Sequence, residues 1–324
     1  STAGDWETVE PDAVHWDKAK LAAALQWAGE VGSSGVVVLL DGKILAESHW
    51  TQAGDGDLDG KRPDYSILGT NDSGHSIEDV ASVQKSITSI LVGIAQQKGL
   101  LSIDDAVSKH LGQGWSKAEV SQESQITIRH LLSMTSGLSD RLEFTARPGT
   151  KWRYNTPAYS RARDCVVAAA KMELNDVTRE WLTGPLGMKD SKWTPRPAFL
   201  RSINGYGFAS TARDLARFGL MMQAGGRWNG KEIVSDKEYL KQVSSSSQKL
   251  NLAYGFLWWL NRGKRVTSAP GDTYSANGAK TRRLYVMPSY GLVVTRIGAS
   301  PKMEKPRDFD KEFCRRVLAA RQDD

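Results

Sequence analysis

Cysteine is nearly absent: Cys165 and Cys314 are the only two in 324 residues. Two such thiols exclude a disulfide framework and a cysteine-based zinc site. Both fall in segments of helical pattern, so buried free thiols are expected. Histidine is also sparse. His15, His49, His75, His110 and His130 include no i, i+4 pair and no His-Glu-x-x-His, so metal-dependent hydrolysis has no ligand set. No Gly-x-Ser-x-Gly elbow occurs and no histidine follows His130, so the serine–acid–histidine order of α/β-hydrolases cannot be met. No P-loop is present, and no Gly-x-Gly-x-x-Gly follows a strand pattern, so no nucleotide or other cofactor is implied. A run of eighteen apolar residues is missing, and with it any membrane-spanning helix. So is a dense basic block. The 43 basic and 37 acidic side chains leave a net charge of +6, but they are scattered, which argues against a nucleic-acid groove. The chain begins at Ser1 without methionine, as after removal of a leader or trimming of the sequence, and a bacterial periplasmic, secreted or cytoplasmic location all stay open.

What is there starts with Ser82-Val83-Gln84-Lys85. From Ser82 to Gly99 the residues Ile87, Ile90, Leu91, Ile94 and Ala95 recur at helical spacing, which predicts a buried helix. Ser82 and Lys85, three apart, then share one face of its first turn. The unpaired amides of a helix N-terminus carry partial positive charge. They can stabilise the oxyanion formed when the Ser82 hydroxyl attacks a carbonyl. Burial would lower the pKa of Lys85 and let it take the serine's proton. A chain of this length holds about one Ser-x-x-Lys by chance. Ser246-Ser247-Gln248-Lys249 is such a chance copy, sitting in a serine run with no apolar helical face.

The order of elements sets the fold class. A helix over 16–28 is followed by apolar runs at 35–40 and 43–49 joined by Asp41-Gly42, a hairpin signal. Residues 51–76, rich in Gly and Asp, read as one long loop. The middle of the chain is mostly helical, with patterns over 127–134, 159–171, 177–186, 210–223 and 235–243. Strand character returns at 255–260, 282–286 and 291–297, and a helix over 309–321 closes the chain. This is an α+β organisation in which both chain ends build one antiparallel sheet flanked by terminal helices, with a helical lobe inserted between them. It forms a single domain over 1–324, with an α/β lobe at about 1–80 and 250–324 and a helical lobe at about 81–249. Eleven tryptophans are many, and Trp152, Trp258 and Trp259, with Tyr274, are candidate cleft walls.

Several further stretches stand in a recognisable order: Gly99-Leu100-Leu101-Ser102-Ile103-Asp104-Asp105, Leu131 to Leu138, Pro148-Gly149-Thr150, Pro185-Leu186-Gly187-Met188, Ser210 to Ala216, and Leu292-Val293-Val294. Together with Ser82 and Lys85 they resemble the serine β-lactamase and penicillin-binding-protein superfamily. The class C branch is the most similar, with its family VIII esterases, D-amino-acid peptidases and 6-aminohexanoate-dimer hydrolases. The resemblance runs from about residue 35 to 300. It implies a β-lactamase-like fold and an acyl-enzyme on Ser82. Tyr154 matches the second-motif tyrosine that works with the lysine as general base and returns the proton to the leaving group. A phenol beside ammonium charge is expected to have a lowered pKa. The family has Tyr-x-Asn, whereas Asn155 stands one place early as a candidate substrate contact.

The third motif departs furthest. Counting back from Val286-Met287-Pro288 places Ala276-Asn277-Gly278 where the family has Lys-Thr-Gly, with Asn277 and Gly278 beside the substrate. The alternative Lys280-Thr281-Arg282 lacks the glycine needed for close backbone approach. On the first alignment, the amides of Ser82 and Ala279 form the oxyanion hole. No lysine is left to grip a substrate carboxylate unless Lys280, Arg282 or Arg283 supplies the charge. The implied activity is hydrolysis of a small ester or amide. A D-amino-acid peptidase or weak β-lactamase acting on cell-wall-like substrates is the alternative, and a non-catalytic ligand sensor or scaffold is the rival from another class. Substrate and oligomeric state are set by loops and are not readable here.

Overall fold

The structure, a computed structural model, describes residues 6–51, 66–201 and 204–322. Asp41 and Gly42 both take left-handed backbone, with φ of 47° and 85°. A two-residue type I′ turn requires this conformation, and it folds β1 (Ser33–Leu40) back onto β2 (Lys43–His49). Next come β3 (Ile67–Thr70) and β4 (Ser76–Asp79). After a long helical stretch follow β5 (Lys192–Pro195), β6 (Tyr206–Ser210) and a short hairpin, β7 (Arg227–Trp228) with β8 (Lys231–Glu232). The chain ends with β9 (Trp259–Leu260), β10 (Tyr274–Asn277), β11 (Arg283–Met287) and β12 (Leu292–Gly298).

The main sheet is antiparallel in the order β2-β1-β12-β11-β10-β9. Strands from the two chain ends therefore meet at its centre, where Val36 pairs with Arg296 and Val38 with Val294. Alternation along each strand sends side chains to both faces, and both faces are buried. Val36, Val38 and Val294 pack under the terminal helices Lys18–Glu30 and Phe309–Leu318, against Leu21, Leu25, Phe313 and Val317. Val37, Leu39, Leu284 and Val293 face the larger core, built with the helices Gln84–Gln97 and Ala212–Gln223. Each such fully buried side chain contributes about 1.5–3 kcal/mol.

The helix Gln84–Gln97 is the centre of that core, with every residue from Gln84 to Ala95 buried. Its Gly93 lets Tyr239 approach: a Cβ there would lie 2.7 Å from Tyr239 Cε1. The Tyr239 hydroxyl donates to the Ser89 carbonyl at 2.6 Å.

Two readings from sequence need correction. Of the expected loop at 51–76, residues 52–65 lie outside the described residues, and its C-terminal part supplies β3 and the start of β4. These belong to a second antiparallel sheet, β3-β4-β6-β5. Its strands are only four or five residues long, too short for a period-2 pattern to register. The expected strand over 255–260 is reduced to β9. Leu257 is left-handed (φ 60°), its N–H donates to the Leu132 carbonyl at 3.0 Å, and its own carbonyl accepts from Ser86 Oγ at 2.8 Å. The apolar residues there form a turn packed on the Ser82 helix.

A buried ion pair joins the two sheets. Arg282 donates through Nη2 to Glu78 Oε2 at 2.7 Å and to Ser66 Oγ at 2.7 Å. Glu78 also accepts from the Gly298 amide at 3.1 Å, from Ser76 Oγ at 3.2 Å and from Ser34 Oγ.

Candidate active site

Ser82 sits in the tight turn Ala81–Val83 that opens into the helix Gln84–Gln97. Ala81 is left-handed (φ 52°), a backbone that costs an L-residue roughly 1–2 kcal/mol. The turn is held in it by the Ala81 amide donating to Asp79 Oδ1 at 2.9 Å and the Val80 amide donating to the Phe208 carbonyl at 2.9 Å. Asp79 is itself clamped by Arg196, whose Nε and Nη2 donate to its two oxygens at 2.7 and 2.9 Å.

Lys85, 1 % exposed, points its ammonium group at the Ser82 hydroxyl, with Nζ 3.0 Å from Oγ. Among the described residues no carboxylate pairs with it. It lies instead between two aromatic faces, 4.8 Å from the Tyr154 ring centroid and 4.4 Å from that of Tyr159. Tyr159 is in turn fixed by Asn204 Nδ2, which donates to its hydroxyl at 2.7 Å. Burial, seconded by the charge of Arg196, lowers the pKa of Lys85 from 10.5 to about 7. Both protonation states are then populated near neutrality, as a general base requires.

Tyr154 differs from expectation. Its pKa is raised by burial, which outweighs the opposing effects of the Ser82 hydroxyl and of Arg283. The lowering expected from sequence relied on ammonium charge beside the phenol, but burial is the larger effect and Lys85 is itself only partly charged near neutrality. The phenol therefore stays protonated near neutrality.

Gly278 shows how β10 reaches the Ser82 turn. A Cβ at this position would lie 2.4 Å from the Val80 carbonyl oxygen and 3.3 Å from Val83 Cγ2, so only glycine allows the strand end this close to the Ser82 turn. Lys280 and Thr281 beyond it are both left-handed, with φ of 57° and 56°. Between them and Gly278 lies Ala279. Among the described residues, neither the Ser82 nor the Ala279 amide has a hydrogen-bond partner within the protein.

The structure sends several expected contacts elsewhere. Asn155 is buried and caps the helix Thr156–Ala170: its Oδ1 accepts from the Ala158 amide at 2.9 Å. Its Nδ2 donates to the carbonyls of Leu138 and Ser139, at 2.9 and 3.0 Å, so nothing is left for substrate. Asn277 alternates to the far side of β10, into a small cavity with Ser275, Tyr285 and Asp310. Tyr274 and Trp258 are buried, edge to face at 5.3 Å, and belong to the core. Trp152 and Trp259 do stand at the site. Trp259 stacks on Tyr154 at 5.8 Å, and Trp152 meets Trp259 edge-on at 6.2 Å. Tyr254, unforeseen from sequence, is buried behind this pair, 4.9 Å from Trp259. Tyr159 and Arg196 were likewise missed, and no spacing relative to Ser82 marks them.

The substitutes for a third-motif lysine are also committed. Arg282 pairs with Glu78, and Arg283 Nε donates to Asp310 Oδ1 at 2.6 Å. Lys280 Nζ lies 3.4 Å from Ser66 Oγ. Ala276 is buried in the core. Ser246 and Lys249 lie outside any helix, and Lys249 is exposed. Among the described residues no group of three His, Cys, Asp or Glu side chains could hold a metal ion, and no helix is long and apolar enough to cross a membrane.

A serine and a buried lysine at the head of a helix, facing the end of an antiparallel strand, define the class: an α+β hydrolase fold with its site between sheet and helices. The Beta-lactamase family model matches residues 19–318, and the chain belongs to that family of hydrolases. An uncharacterised protein of Alkalihalophilus pseudofirmus is 29% identical over 253 residues, covering 67% of this chain and 72% of that one. The D-alanyl-D-alanine-carboxypeptidase/endopeptidase AmpH of Escherichia coli is 24% identical over 153 residues, 40% of each chain. Among solved structures, EstCE1, a hydrolase with promiscuous acyltransferase activity, matches with a TM-score of 0.67 at 16% identity. That match covers 92% of this chain and 97% of the other, and shows the shared fold.

Proposed function

We propose that this protein is a serine hydrolase that cleaves a small carboxylic ester or amide through an acyl-enzyme on Ser82. The observation that carries the reading is the 3.0 Å contact between Ser82 Oγ and a buried Lys85 that has no carboxylate partner among the described residues. As Oγ bonds to the substrate carbonyl carbon, neutral Lys85 takes its proton, and the carbonyl oxygen becomes an oxyanion facing the Ser82 and Ala279 amides. Tyr154 then gives its proton to the leaving oxygen or nitrogen as that bond breaks, and recovers one from Lys85. Water reverses the sequence to free the acid. Acyltransferase activity in EstCE1, which shares the fold, fits such an intermediate.

Preference for uncharged esters and amides rests on the missing cation. Arg282 and Arg283 are buried against carboxylates, position 276 is alanine, and Lys280 lies in the turn beyond β10 with its Nζ at Ser66 Oγ, so no cation stands on the strand at the third-motif position. The similarity to AmpH supports a second reading over the 153 residues that match, a D-amino-acid peptidase or weak β-lactamase acting on cell-wall-like substrates, which nitrocefin probes. Time courses of p-nitrophenyl acetate and butyrate hydrolysis, for wild type and Ser82→Ala, with nitrocefin alongside, decide between them. Ester turnover lost in the variant, with little nitrocefin cleavage, is expected. Strong nitrocefin turnover would overturn the carboxylate argument, and ester turnover unaffected by Ser82→Ala would overturn the nucleophile.

A further inference from the structure

We propose that Arg283 is the positioning residue of the oxyanion hole: by holding the Gly278 carbonyl it aims the Ala279 N–H at the developing oxyanion. This rests on the reading of the Ser82 and Ala279 amides as the oxyanion donors.

A peptide unit is planar and trans, so its C=O and N–H point in opposite directions. Whatever fixes the carbonyl of Gly278 therefore fixes the direction of the Ala279 N–H on the same unit. That carbonyl accepts from Arg283 Nη1 at 2.7 Å, the short distance of a charge-assisted bond. The same nitrogen donates to the Arg282 carbonyl at 3.0 Å, so it grips both ends of the turn. The guanidinium cannot swing, because Nε and Nη2 hold the two oxygens of Asp310 at 2.6 and 3.1 Å. Asp310 is in the first turn of the helix Phe309–Leu318 and accepts a further bond from the Tyr285 hydroxyl at 2.5 Å. A cationic donor on the carbonyl also polarises the amide, which strengthens its N–H as a donor.

The turn needs such a hold. Lys280 and Thr281 are both left-handed, and threonine, being β-branched, rarely adopts that backbone. A second buried arginine secures the 280–281 peptide. Arg296 Nη1 donates to the Lys280 carbonyl at 2.6 Å and to Thr281 Oγ1 at 3.0 Å. Its remaining donors go to Ser33 Oγ, the Gly32 carbonyl and the Ala299 carbonyl, at 2.9, 2.9 and 2.8 Å. All five guanidinium donors are thereby used. Two arginines from adjacent strands thus hold the Gly278 and Lys280 carbonyls of the turn that carries the oxyanion amide.

The test compares wild type, Arg283→Met, Arg283→Lys and Asp310→Asn. Three quantities are read: the rate of Ser82 labelling by a fluorophosphonate, the affinity for an aryl boronic acid whose tetrahedral adduct places an oxygen in the hole, and the affinity for a product carboxylic acid. Removing one oxyanion donor outright costs about 10²–10³-fold in rate, so losing only its aim is expected to cost about 10–100-fold. Labelling and boronate affinity should fall together by that factor in both Arg283 variants, with product affinity unchanged within about 2-fold. Arg283→Lys is the discriminating variant, since it keeps the charge felt by Tyr154 but loses the fork. Wild-type labelling in Arg283→Lys, or unchanged boronate affinity in Arg283→Met, would overturn the proposal. Should Arg283→Met fail to fold by circular dichroism, Asp310→Asn leaves the guanidinium present but unlocked. A parallel fall there supports the proposal, and none refutes it. Wild type labelled at Ser82 but insensitive to these changes overturns this inference alone. Wild type not labelled at Ser82 overturns the hydrolase reading with it.

Discussion

Replacing Lys85 by methionine should stabilise the fold, and by more in acid than in base. The lysine is held at a pKa of about 7 in the folded chain against 10.5 unfolded, with burial the larger cause. Below pH 7 both states carry the proton, and the folded state bears the full penalty of a buried charge. As pH rises from 7 towards 10.5 the folded group is neutral while the unfolded one still binds a proton, so unfolding takes up protons and stability rises. One pKa unit corresponds to about 1.36 kcal/mol, so the full shift amounts to about 5 kcal/mol, of which about 2–3 kcal/mol is relieved between pH 6 and pH 9. Urea unfolding of wild type and Lys85→Met at both pH values measures this directly, because groups common to both proteins cancel in the difference. Lys85→Met should gain more stability at pH 6 than at pH 9 by that margin. A difference independent of pH would falsify the depressed lysine, and with it the base assigned to Ser82. The same group predicts the rate profile: pre-steady-state acylation by p-nitrophenyl acetate should rise with pH up to about 7 and then level off.

Gly278→Ala should abolish ester turnover while leaving a folded protein by circular dichroism, because the added Cβ would meet the Val80 carbonyl at 2.4 Å and push β10 off the nucleophile turn. Asn155→Ala should cost about 1–2 kcal/mol in urea melts through loss of the helix cap, with KM unchanged; a raised KM would restore Asn155 as a substrate contact. Glu78→Ala, which strands Arg282 in the core, should cost about 3–5 kcal/mol, and a loss under about 1 kcal/mol would show that water replaces the pair. Gly93→Ala should destabilise by about 1–3 kcal/mol because the methyl overlaps Tyr239, despite alanine's better helix propensity, and a stabilised variant would show that Tyr239 can move.

Legibility in the sequence followed the range of the interactions. The Ser82 helix was readable because its burial leaves an apolar pattern within one element, and Lys85 because i, i+3 neighbours must share a face. The main sheet was readable from Asp41-Gly42 and the valine runs of β1 and β12. Asn155 misled, since one residue type suits both a substrate contact and a helix cap. Tyr254 and Tyr159 reach the site through tertiary packing alone and leave no local trace. The buried arginines did leave one. Arg296 interrupts the apolar run Leu292–Ile297, and Arg282 and Arg283 precede another, so charge stands where alternation asks for apolar residues. Such an interruption marks a side chain with buried partners, which here are Glu78, Asp310 and the carbonyls of the 278–282 turn.

The pairing of β1 with β12 also bears on how the chain acquires its structure as it is made. Of the strands of the main sheet, the central β12 is made last, and both β1 and β11 wait for it. Until residues beyond 291 emerge, Val37 and Leu39 have no neighbouring strand on that side, and the Arg296 clamp on the 280–281 turn does not exist. Contacts so distant in sequence form slowly. Synthesis should therefore pass through a stage in which the helical segment has collapsed around an incomplete sheet, exposed to misassembly. A nascent chain stalled before β12 would carry Ser82 and Lys85 yet lack the strand and arginine that secure the opposing turn, so competence waits for β12.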